Sequence, residues 1–519
     1  MSEGSILLLA RIQSCAVLGI DAYPVSIEVD ARAGMFRFKV VGLPDTAVKE
    51  SEDRVLSAVR NSGFRFPGGN TVVNLAPADM RKQGSALDLP IALGVLGASS
   101  QLNGARINEY LVAGELALDG SVRPVSGALA MAIAARSLGL RGIVLPEMNA
   151  EEAGVVQDVE VIPVADLNIA QAFFQGARDI TPYRTDISRV AEEARRVVPD
   201  LKDVKGQAHV KRAMTVAAAG AHNILMIGPP GTGKTMLASR LPGILPELTF
   251  EEALETTRVY SVAPLSGQRR SLVLNRPFRS PHHTSTTIAI TGGGANLPVP
   301  GEVSLAHNGV LFLDELPEFS RSALEVLRQP LEEGMVHIRR ASYSITFPSR
   351  FMLVVAMNPC PCGCRTHPRK PCRCSDGEVQ RYLGRISGPL LDRIDIHVDV
   401  PALRFEELHD ESDSGPSSEE VRAQVQEARD RQRARFNGSH CWNAYLDSSA
   451  LRRHCKLSDT ALNMLEVAVL KMGLSARAHD KVLRVARTIA DLERAEHIQE
   501  HHVGEAIQYR SLDKDYWSA

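Results

Sequence analysis

The stretch Asn223-Ile-Leu-Met-Ile-Gly-Pro-Pro-Gly-Thr-Gly-Lys-Thr235 decides the fold of this chain. Its second part, Gly228 to Thr235, fits the pattern G-x-x-x-x-G-K-[ST] at every fixed position. The apolar residues Ile224 to Ile227 predict a buried strand before the turn, and Met236 to Leu241 predict a helix after it. This order of strand, loop and helix is the one in which a phosphate-binding loop occurs.

The residue types of the loop indicate a nucleoside triphosphate as its ligand. Glycines let successive backbone N–H groups face an anion, and the following helix adds its dipole. Lys234 would reach the β- and γ-phosphates, and Thr235 would hold Mg²⁺ through its hydroxyl. The predicted ATP-binding loop is Gly228, Pro229, Pro230, Gly231, Thr232, Gly233, Lys234 and Thr235.

Length and composition leave room for several domains and set limits on the partners. A chain of 519 residues predicts roughly three or four domains. Its net charge of −2 gives no overall basic field, so any nucleic-acid contact must come from local patches. The apolar run Ile6 to Ala10 is too short for a signal peptide, and no run approaches the length of a transmembrane helix. We therefore expect a cytoplasmic protein without a membrane partner.

Residues 1–170 predict an α+β domain that precedes the nucleotide site. Its order of elements resembles the proteolytic domain of Lon-type proteases, whose serine and lysine would correspond to Ala86 and Leu129. Ser85 is one place away, and a shift of one residue turns a side chain to the other face. Because a serine without its base is inert, we expect a non-proteolytic domain that is structural or binds a partner. Residues 171–198 are interpreted as a linker.

Downstream strands end in the polar side chains that hydrolysis of a nucleotide requires. Asp314 and Glu315 follow the apolar run that starts at Gly309, so Asp314 would hold Mg²⁺ and Glu315 would activate water. Asn358 follows a third strand, Phe351 to Met357, and its amide would reach the γ-phosphate. Functional residues at the C-terminal ends of parallel strands predict a doubly wound α/β sheet.

Two arginines and one further segment extend the predicted site. Arg393 precedes a strand, and Arg477 opens a helix. An arginine supplied across a subunit boundary raises turnover by about 10³ to 10⁵, although each could also form a plain surface salt bridge. In ATPases of the AAA+ type, the segment that contains Val204 and Gln207 would lie beside the bound base.

Three long runs resemble the magnesium-chelatase-like AAA+ family called YifB or ComM, and the resemblance covers essentially the whole chain. The resemblance implies a ring-shaped, hexameric ATPase that moves on single-stranded or branched DNA. Such a protein promotes branch migration of recombination intermediates in natural transformation, with recombinases as partners. The runs are Val299 to Phe319, Asn358 to Gly363 and Ile386 to His397.

The same resemblance implies roles and bounds for the rest of the chain. Arg393 corresponds to the arginine finger that acts on the neighbouring subunit, Asn358 to the first sensor and Arg477 to the second sensor. The AAA+ core would span 199–402 and the helical lid 403–519. Two alternatives remain: a chelatase-type motor, which would need a metal-binding partner subunit, and a chaperone-like ATPase that remodels protein.

Two insertions in the core are candidate DNA contacts. Residues 277–294 contain His282 and His283 and a glycine run, which suits a mobile loop. Val336 to Phe347 predicts a hairpin that carries Arg339 and Arg340 near its turn. In related ring helicases such insertions line the central pore, where arginines would contact phosphates. The alternative is a solvated sheet edge.

Five of the eight cysteines lie between Cys360 and Cys374, which predicts a metal site. Two Cys-x-Cys pairs can surround one tetrahedral Zn²⁺, and no catalytic water partner is evident, so we expect a closed structural site. The family resemblance favours one set of ligands and leaves Cys364 and His367 as spare groups. A disulfide or free thiols remain the alternative. The favoured ligands are Cys360, Cys362, Cys372 and Cys374.

Overall fold

The structure is a computed structural model. The structure describes residues 8–80, 82, 84–103, 105–195, 198–263, 272–294, 298–340, 343–367, 370–403, 415–436, 442–472 and 475–512. Within these ranges no helix is both long and apolar enough to cross a membrane.

The N-terminal part of the chain forms one mixed sheet of seven strands in the order β3-β4-β2-β1-β5-β8-β9. The strands are β1 Leu8–Leu18, β2 Asp21–Arg32, β3 Arg37–Val41, β4 Asn70–Ala76, β5 Tyr110–Val112, β6 Glu115–Leu116, β7 Val122–Arg123, β8 Gly142–Pro146 and β9 Glu160–Val164. The helices are α1 Thr46–Asn61, α2 Asp88–Ala98, α3 Ala128–Ser137, α4 Ala150–Ala153 and α5 Leu167–Gln175. The short pair β6 and β7 forms a separate ribbon.

Helix α1 illustrates how local sequence sets these elements. Asp45 caps it by accepting a hydrogen bond from the backbone N–H of Val48. The apolar positions Val48, Val55 and Val59 recur at helical spacing and are all buried. The cap and the spacing of the buried valines therefore account for a helix at this place, which packs against α2 and β3.

The positions aligned with the Lon-type serine and lysine do not form a catalytic pair. Leu129 is fully buried in α3, and Ala86 is half-buried. The hydroxyl of the neighbouring Ser85 donates a hydrogen bond to the carboxylate of Glu115, which is an acid and not the basic lysine of that mechanism. The likeness of this domain to Lon proteases stays a prediction.

The nucleotide-binding part is a five-stranded parallel sheet in the order β11-β14-β17-β10-β18. The strands of this part are β10 Ile224–Ile227, β11 Phe278–Arg279, β12 Gly292–Gly293, β13 Val299–Pro300, β14 Val310–Leu313, β15 Met335–Arg340, β16 Tyr343–Pro348, β17 Met352–Met357 and β18 Ile396–Asp399. Its helices are α6 Ile187–Arg195, α7 Ala208–Gly220, α8 Lys234–Ala238, α9 Leu241–Ile244, α10 Phe250–Val262, α11 Thr287–Thr291, α12 Glu302–Leu305, α13 Arg321–Glu325, α14 Arg328–Glu333, α15 Asp376–Leu383 and α16 Gly388–Leu391. Helix α6 and the end of α5 fall within the segment predicted as a linker.

Both faces of this parallel sheet are covered, as its continuous apolar strands require. Met226 and Val354 belong to the core on one face, and Ile227 and Val355 belong to the core on the other. The predicted α/β fold with a parallel, doubly wound sheet is therefore confirmed.

The C-terminal part is helical, as predicted for a lid. Its helices are α17 Ser418–Arg435, α18 Ser448–His454, α19 Asp459–Met472, α20 Ala476–Leu492 and α21 Glu500–Gln508. Ser417 and Glu420 form a capping box at the start of α17. Single 3₁₀ turns occur at Ser85–Leu87, Ala105–Glu109, Glu147–Asn149, Leu201–Asp203, Leu316–Glu318 and Asn443–Tyr445.

The N-terminal sheet contacts the nucleotide-binding part through α10 and the hairpin β15–β16. Ile20 from the N-terminal part packs in one apolar cluster with Val259 of α10 and with Ile345 and Phe347 of β16. The backbone N–H of Gly127 donates to the carbonyl oxygen of Ser261 at 3.1 Å. The base of the hairpin is therefore packed directly against the N-terminal part of the chain.

Candidate functional site

The phosphate-binding loop runs between β10 and α8 at the C-terminal edge of the parallel sheet. Gly233 has a φ of +84°, in the left-handed region that favours glycine. At Gly228 a Cβ atom would lie 2.1 Å from the carbonyl oxygen of Val400, so only glycine lets the loop start so close to the end of β18. The sequence of the loop therefore follows from its backbone shape.

Lys234 is held inside this loop with its ammonium group bonded to the loop's own backbone. Its Nζ donates to the carbonyl oxygens of Gly228 at 2.7 Å and Pro229 at 2.8 Å. Burial lowers the pKa of Lys234, while the nearby carboxylates of Asp314 and Asp399 act in the opposite direction. Incoming phosphate oxygens can replace the carbonyl partners without moving the lysine stem.

The two predicted magnesium ligands lie side by side. The hydroxyl of Thr235 donates to Oδ2 of Asp314 at 2.6 Å. The other oxygen of Asp314 accepts the backbone N–H of Glu315 at 2.9 Å, which fixes the carboxylate at the end of β14. Hydroxyl and carboxylate oxygens are ligands that suit Mg²⁺, so these residues fit the ion.

Asn358 joins the same group because of strand register. Ile227, the last residue of β10, pairs with Met357, so the residues that follow both strands are neighbours. Oδ1 of Asn358 lies 3.4 Å from Nζ of Lys234. The phosphate-binding loop, the acidic pair and the amide thus meet at one edge of the sheet.

The segment predicted to lie beside the base offers a free acceptor. Val204 is buried, and its carbonyl oxygen accepts the ammonium group of Lys211 at 2.6 Å. The side-chain Nε2 of Gln207 donates to the carbonyl oxygen of Pro401 at 2.8 Å. Its Oε1 is buried and has no hydrogen-bond partner among the described residues. An adenine amino group is a donor that would satisfy this oxygen.

Arg393 and Arg477 lie together, and within the described ranges no hydrogen bond or ion pair joins either of them to the phosphate-binding loop. Arg393 forms an ion pair with Glu332. Burial, together with the positive charges of Arg477 and Arg328, lowers the pKa of Arg393. Nη1 of the exposed Arg477 lies 3.1 Å from Oδ2 of Asp392, directly beside the Arg393 position. The two arginines therefore form one set, apart from the loop of their own chain.

Comparison with known families covers most of the chain in three segments. Residues 27–149 match the family described as "Subunit ChlI of Mg-chelatase". Residues 200–408 match "Magnesium chelatase, subunit ChlI", and residues 415–510 match its C-terminal part. The nucleotide site described above lies within the second segment.

Two relatives match over nearly the full length. The YifB protein of Escherichia coli strain K12 is 44% identical over 508 residues, which is 98% of both chains. The competence protein ComM of Haemophilus influenzae is 45% identical over 97% of this chain and 98% of its own. The chain belongs to the YifB/ComM family. The magnesium-chelatase subunit ChlI of a Nostoc species is 24% identical and matches only 45% of this chain.

Membership of the YifB/ComM family confirms the resemblance inferred from the sequence. This family is magnesium-chelatase-like and of the AAA+ type, so it implies ATP and Mg²⁺ as ligands and suggests ATPase activity. The donor set of Lys234, Thr235 and Asp314 fits these ligands.

In this YifB/ComM family member, four cysteines form a compact group of sulfur atoms. The Sγ atoms of Cys360, Cys362, Cys372 and Cys374 all lie within 4.8 Å of one another. Those of Cys360 and Cys362 are 3.4 Å apart. Tetrahedral zinc with bonds of about 2.3 Å would hold sulfurs about 3.8 Å apart, so the group fits Zn²⁺.

The cysteines of this loop differ in their surroundings, and the fifth, Cys364, lies outside the group of four. Burial raises the pKa of the Cys360 thiol to about 12. Backbone N–H groups of Arg373 and Cys364 lower the pKa of the Cys362 thiol to about 6. Cys364 instead directs its own sulfur to the carbonyl oxygen of Cys362 at 3.5 Å, outside the group of four.

The cysteine loop also contacts the phosphate-binding loop. A Cβ atom on Gly363, which has a φ of +74°, would lie 2.5 Å from Cδ of Pro230. Only glycine allows this close approach, and Asn358 comes just before the loop in sequence. The position of the cysteine loop is therefore tied to that of the nucleotide site.

The predicted hairpin is present as β15 and β16, with Arg339 paired to Ser344 across the strands. Arg339 is exposed, and the side chain of Arg340 lies outside the described part. In the other insertion His282 is exposed, and its Nδ1 lies 2.9 Å from the hydroxyl of Thr284. Among the described side chains, no hydrogen bond or ion pair joins Arg339 or His282 to the nucleotide site.

Two side chains join the nucleotide site without having been predicted from the sequence. Asp399 ends β18 beside β10, and burial raises its pKa. The rule that found Asp314 and Asn358 at strand ends could have found it. His283, predicted as a DNA contact, has Nδ1 3.6 Å from Oε2 of Glu315. No spacing in the sequence indicates this contact.

Proposed function

We propose that this protein is a ring-forming, hexameric ATPase that moves on DNA and promotes branch migration of recombination intermediates in natural transformation. One cluster of side chains supports this proposal: Lys234, Thr235, Asp314, Glu315 and Asn358. The chain that holds the cluster is 45% identical to a competence protein. The cluster supports hydrolysis of a nucleotide. The identity to a competence protein supports a role for that hydrolysis in natural transformation.

In this proposal each residue of the cluster has one task. Lys234 binds the β- and γ-phosphates, while Thr235 and Asp314 hold Mg²⁺, which neutralises charge on the phosphates. Glu315 accepts a proton from the attacking water, and Asn358 orients the γ-phosphate. Val204 and Gln207 lie beside the base.

Arg393 would act on ATP bound to the neighbouring subunit, and Arg477 would accompany it. Among the described residues neither bonds to the loop of its own chain, and Arg477 pairs with Asp392, the residue just before Arg393. An arginine that approaches the γ-phosphate only from a neighbour makes hydrolysis depend on assembly. A finger of this kind raises turnover by about 10³ to 10⁵.

DNA contacts are proposed at the two insertions. The hairpin carries the exposed Arg339 and also Arg340, and the other insertion carries His282 and His283. The contacts would be to phosphates and therefore independent of base sequence. Because His283 also lies beside Glu315, a movement of this insertion on DNA would reach the catalytic carboxylate.

The direct test is strand exchange on a synthetic four-way junction with ATP and Mg²⁺. We expect the wild-type protein to move the branch point, and the variants Lys234→Ala and Glu315→Gln to fail, because they lack the phosphate and water contacts. Glu315→Gln should still bind ATP, since it leaves Lys234, Thr235 and Asp314 in place. A wild-type protein that hydrolyses ATP without moving the junction would contradict the proposal.

The remodelling alternative makes the opposite prediction for stimulation. A DNA motor hydrolyses ATP faster when branched or single-stranded DNA is added, whereas a chaperone-like or chelatase-like ATPase responds to protein. Measuring steady-state hydrolysis with a junction, with an unfolded protein and with neither therefore separates the two. Stimulation by unfolded protein alone would favour the alternative.

A further inference from the structure

A cationic pocket in the helical lid takes no part in the nucleotide site. It has a volume of about 420 Å³ and lies between the C-terminal ends of α17 and α18 and the segment 494–497. Six arginine and lysine side chains line it, against the two carboxylates of Asp491 and Glu496. The cations are Arg431, Arg435, Arg453, Lys456, Arg487 and Arg494. This local excess stands out in a chain whose net charge is −2.

The floor of the pocket is a fixed positive centre. Arg435 and Arg487 both bind Oδ1 of Asp491, at 2.5 Å and 3.0 Å. Two guanidinium groups therefore share one carboxylate, which leaves an uncompensated positive charge. Arg487 also donates to the carbonyl oxygens of Ala495 and Glu496, so it holds the wall of the pocket in place.

The rim carries cations that are free to bind. Arg453 and Lys456 are exposed, and their side chains make no hydrogen bond or ion pair among the residues that the structure describes. On the opposite wall, Arg431 and Arg494 share the single carboxylate of Glu427, at 3.2 Å and 2.8 Å. Both walls thus present positive charge to the opening.

The positive charge of the pocket lowers the pKa of a histidine in its lining. His454 lies on the lining, and its pKa is lowered by burial and by the positive charges of Arg435, Arg453 and Arg487. A site that disfavours a further cation favours an anion by the same interaction. The planar guanidinium groups match the geometry of phosphate oxygens.

We infer that this lid pocket binds the phosphodiester backbone of single-stranded DNA. The cations come from three separate segments and reach the surface on long side chains, which suits several spaced phosphates along a strand. A pocket of about 420 Å³ holds a short stretch of one strand, whose flexible backbone can follow the lining cations. The inference rests on the proposed action on DNA and adds a second contact surface, remote from the two insertions of the core.

The test compares two double variants of the full-length protein that remove the same charge. Arg453→Gln with Lys456→Gln changes the rim, whereas Arg452→Gln with Lys471→Gln changes exposed cations of the lid outside the pocket. Binding of a fluorescent oligothymidylate is measured by anisotropy over a range of salt concentrations. A third variant, Arg453→Lys with Lys456→Arg, keeps the charge at the rim.

We expect the rim variant to bind the oligonucleotide roughly tenfold more weakly than the wild type, and the other two to bind almost as the wild type. The slope of log K against log salt should fall in magnitude by about 1.4 for the rim variant, because each lost phosphate contact removes about 0.7. Equal thermal midpoints and equal basal ATPase rates show that the variants are folded.

Three results would overturn the inference. The first is equal affinity and slope for the rim variant and the variant changed outside the pocket, while the wild type binds DNA; this leaves the proposed function intact. The second is displacement of the oligonucleotide from the wild type by a polyglutamate peptide as readily as by unlabelled DNA, which indicates a site for acidic protein. The third is a wild type that binds no DNA, which contradicts the proposed function as well.

Discussion

Glu315, the residue proposed to activate water, combines an uncommon backbone conformation with a histidine neighbour. Its backbone has a φ of +52°, a conformation that is uncommon outside glycine and that occurs often at functional positions. Its side chain is exposed and lies beside His283, which comes from an insertion more than thirty residues earlier. An imidazole at this distance can hold the carboxylate away from the position in which it would activate water.

We therefore predict that His283→Ala raises the ATPase rate measured without DNA and reduces the factor by which DNA stimulates it. Removing the imidazole frees Glu315 from a contact that DNA would otherwise have to release. A change of roughly threefold in each quantity corresponds to less than about 1 kcal/mol, a size typical of one exposed contact.

His282→Ala is the control, because the His282 ring lies 4.0 Å from that of His283 but its own polar contact is to Thr284 and not to Glu315. It should leave the rate without DNA unchanged. If both variants altered that rate equally, the effect would belong to the insertion as a whole, and a specific contact between His283 and Glu315 would be ruled out.

Among the elements, the cysteine loop connects a proposed metal to the nucleotide site. It follows Asn358 directly, and Gly363 approaches Pro230 of the phosphate-binding loop. Four sulfurs within 4.8 Å of one another make a closed set without an open position for substrate. Such a site would stabilise the loop and take no part in hydrolysis.

We predict about one zinc per chain in protein purified without chelators, measured by elemental analysis. Cys372→Ser should lose the metal and lower the thermal midpoint by several degrees, since about 1 kcal/mol shifts a domain of this size by about 2–4 °C. The KM for ATP should rise as well, because the phosphate-binding loop loses a fixed neighbour.

Cys364→Ala serves as the control, because its sulfur lies outside the group of four. It should keep the zinc and the thermal midpoint of the wild type. Loss of metal from Cys364→Ala, with retention in Cys372→Ser, would show that the ligand set has been assigned wrongly.

Strand ends were the features that the sequence predicted best. The motif fixes where β10 ends, and apolar runs fix where β14 and β17 end. Parallel pairing then brings Lys234, Asp314 and Asn358 to one edge of the sheet. Side-chain positions of this kind follow from local pattern and sheet geometry alone.

Contacts between distant segments could not be predicted in this way. The approach of His283 to Glu315 depends on how an insertion folds back over the sheet. The link between Arg477 and Asp392 depends on how α20 packs against the core. The spacing of nearby residues does not determine how these segments pack. The residues of the site could therefore be predicted from the sequence, but these two contacts could not.

In the proposed assembly, one chain would hold two incomplete halves of an ATP site. The phosphate-binding loop, the acidic pair and Asn358 form one half. Arg393 and Arg477 form the other, and in the described part no hydrogen bond or ion pair connects the halves. Assembly of subunits would join the loop of one chain to the arginines of the next, which is how a ring couples hydrolysis between neighbours.

A site shared between subunits is tested by the ATPase rate of a mixture of two inactive variants, Lys234→Ala and Arg393→Ala. Each variant alone should lose about 10³-fold or more of the wild-type rate. In randomly mixed rings roughly a quarter of the interfaces join an intact loop to an intact arginine, so activity should return to roughly a quarter of the wild-type value. A mixture that stays as inactive as either variant alone would contradict a site shared between subunits.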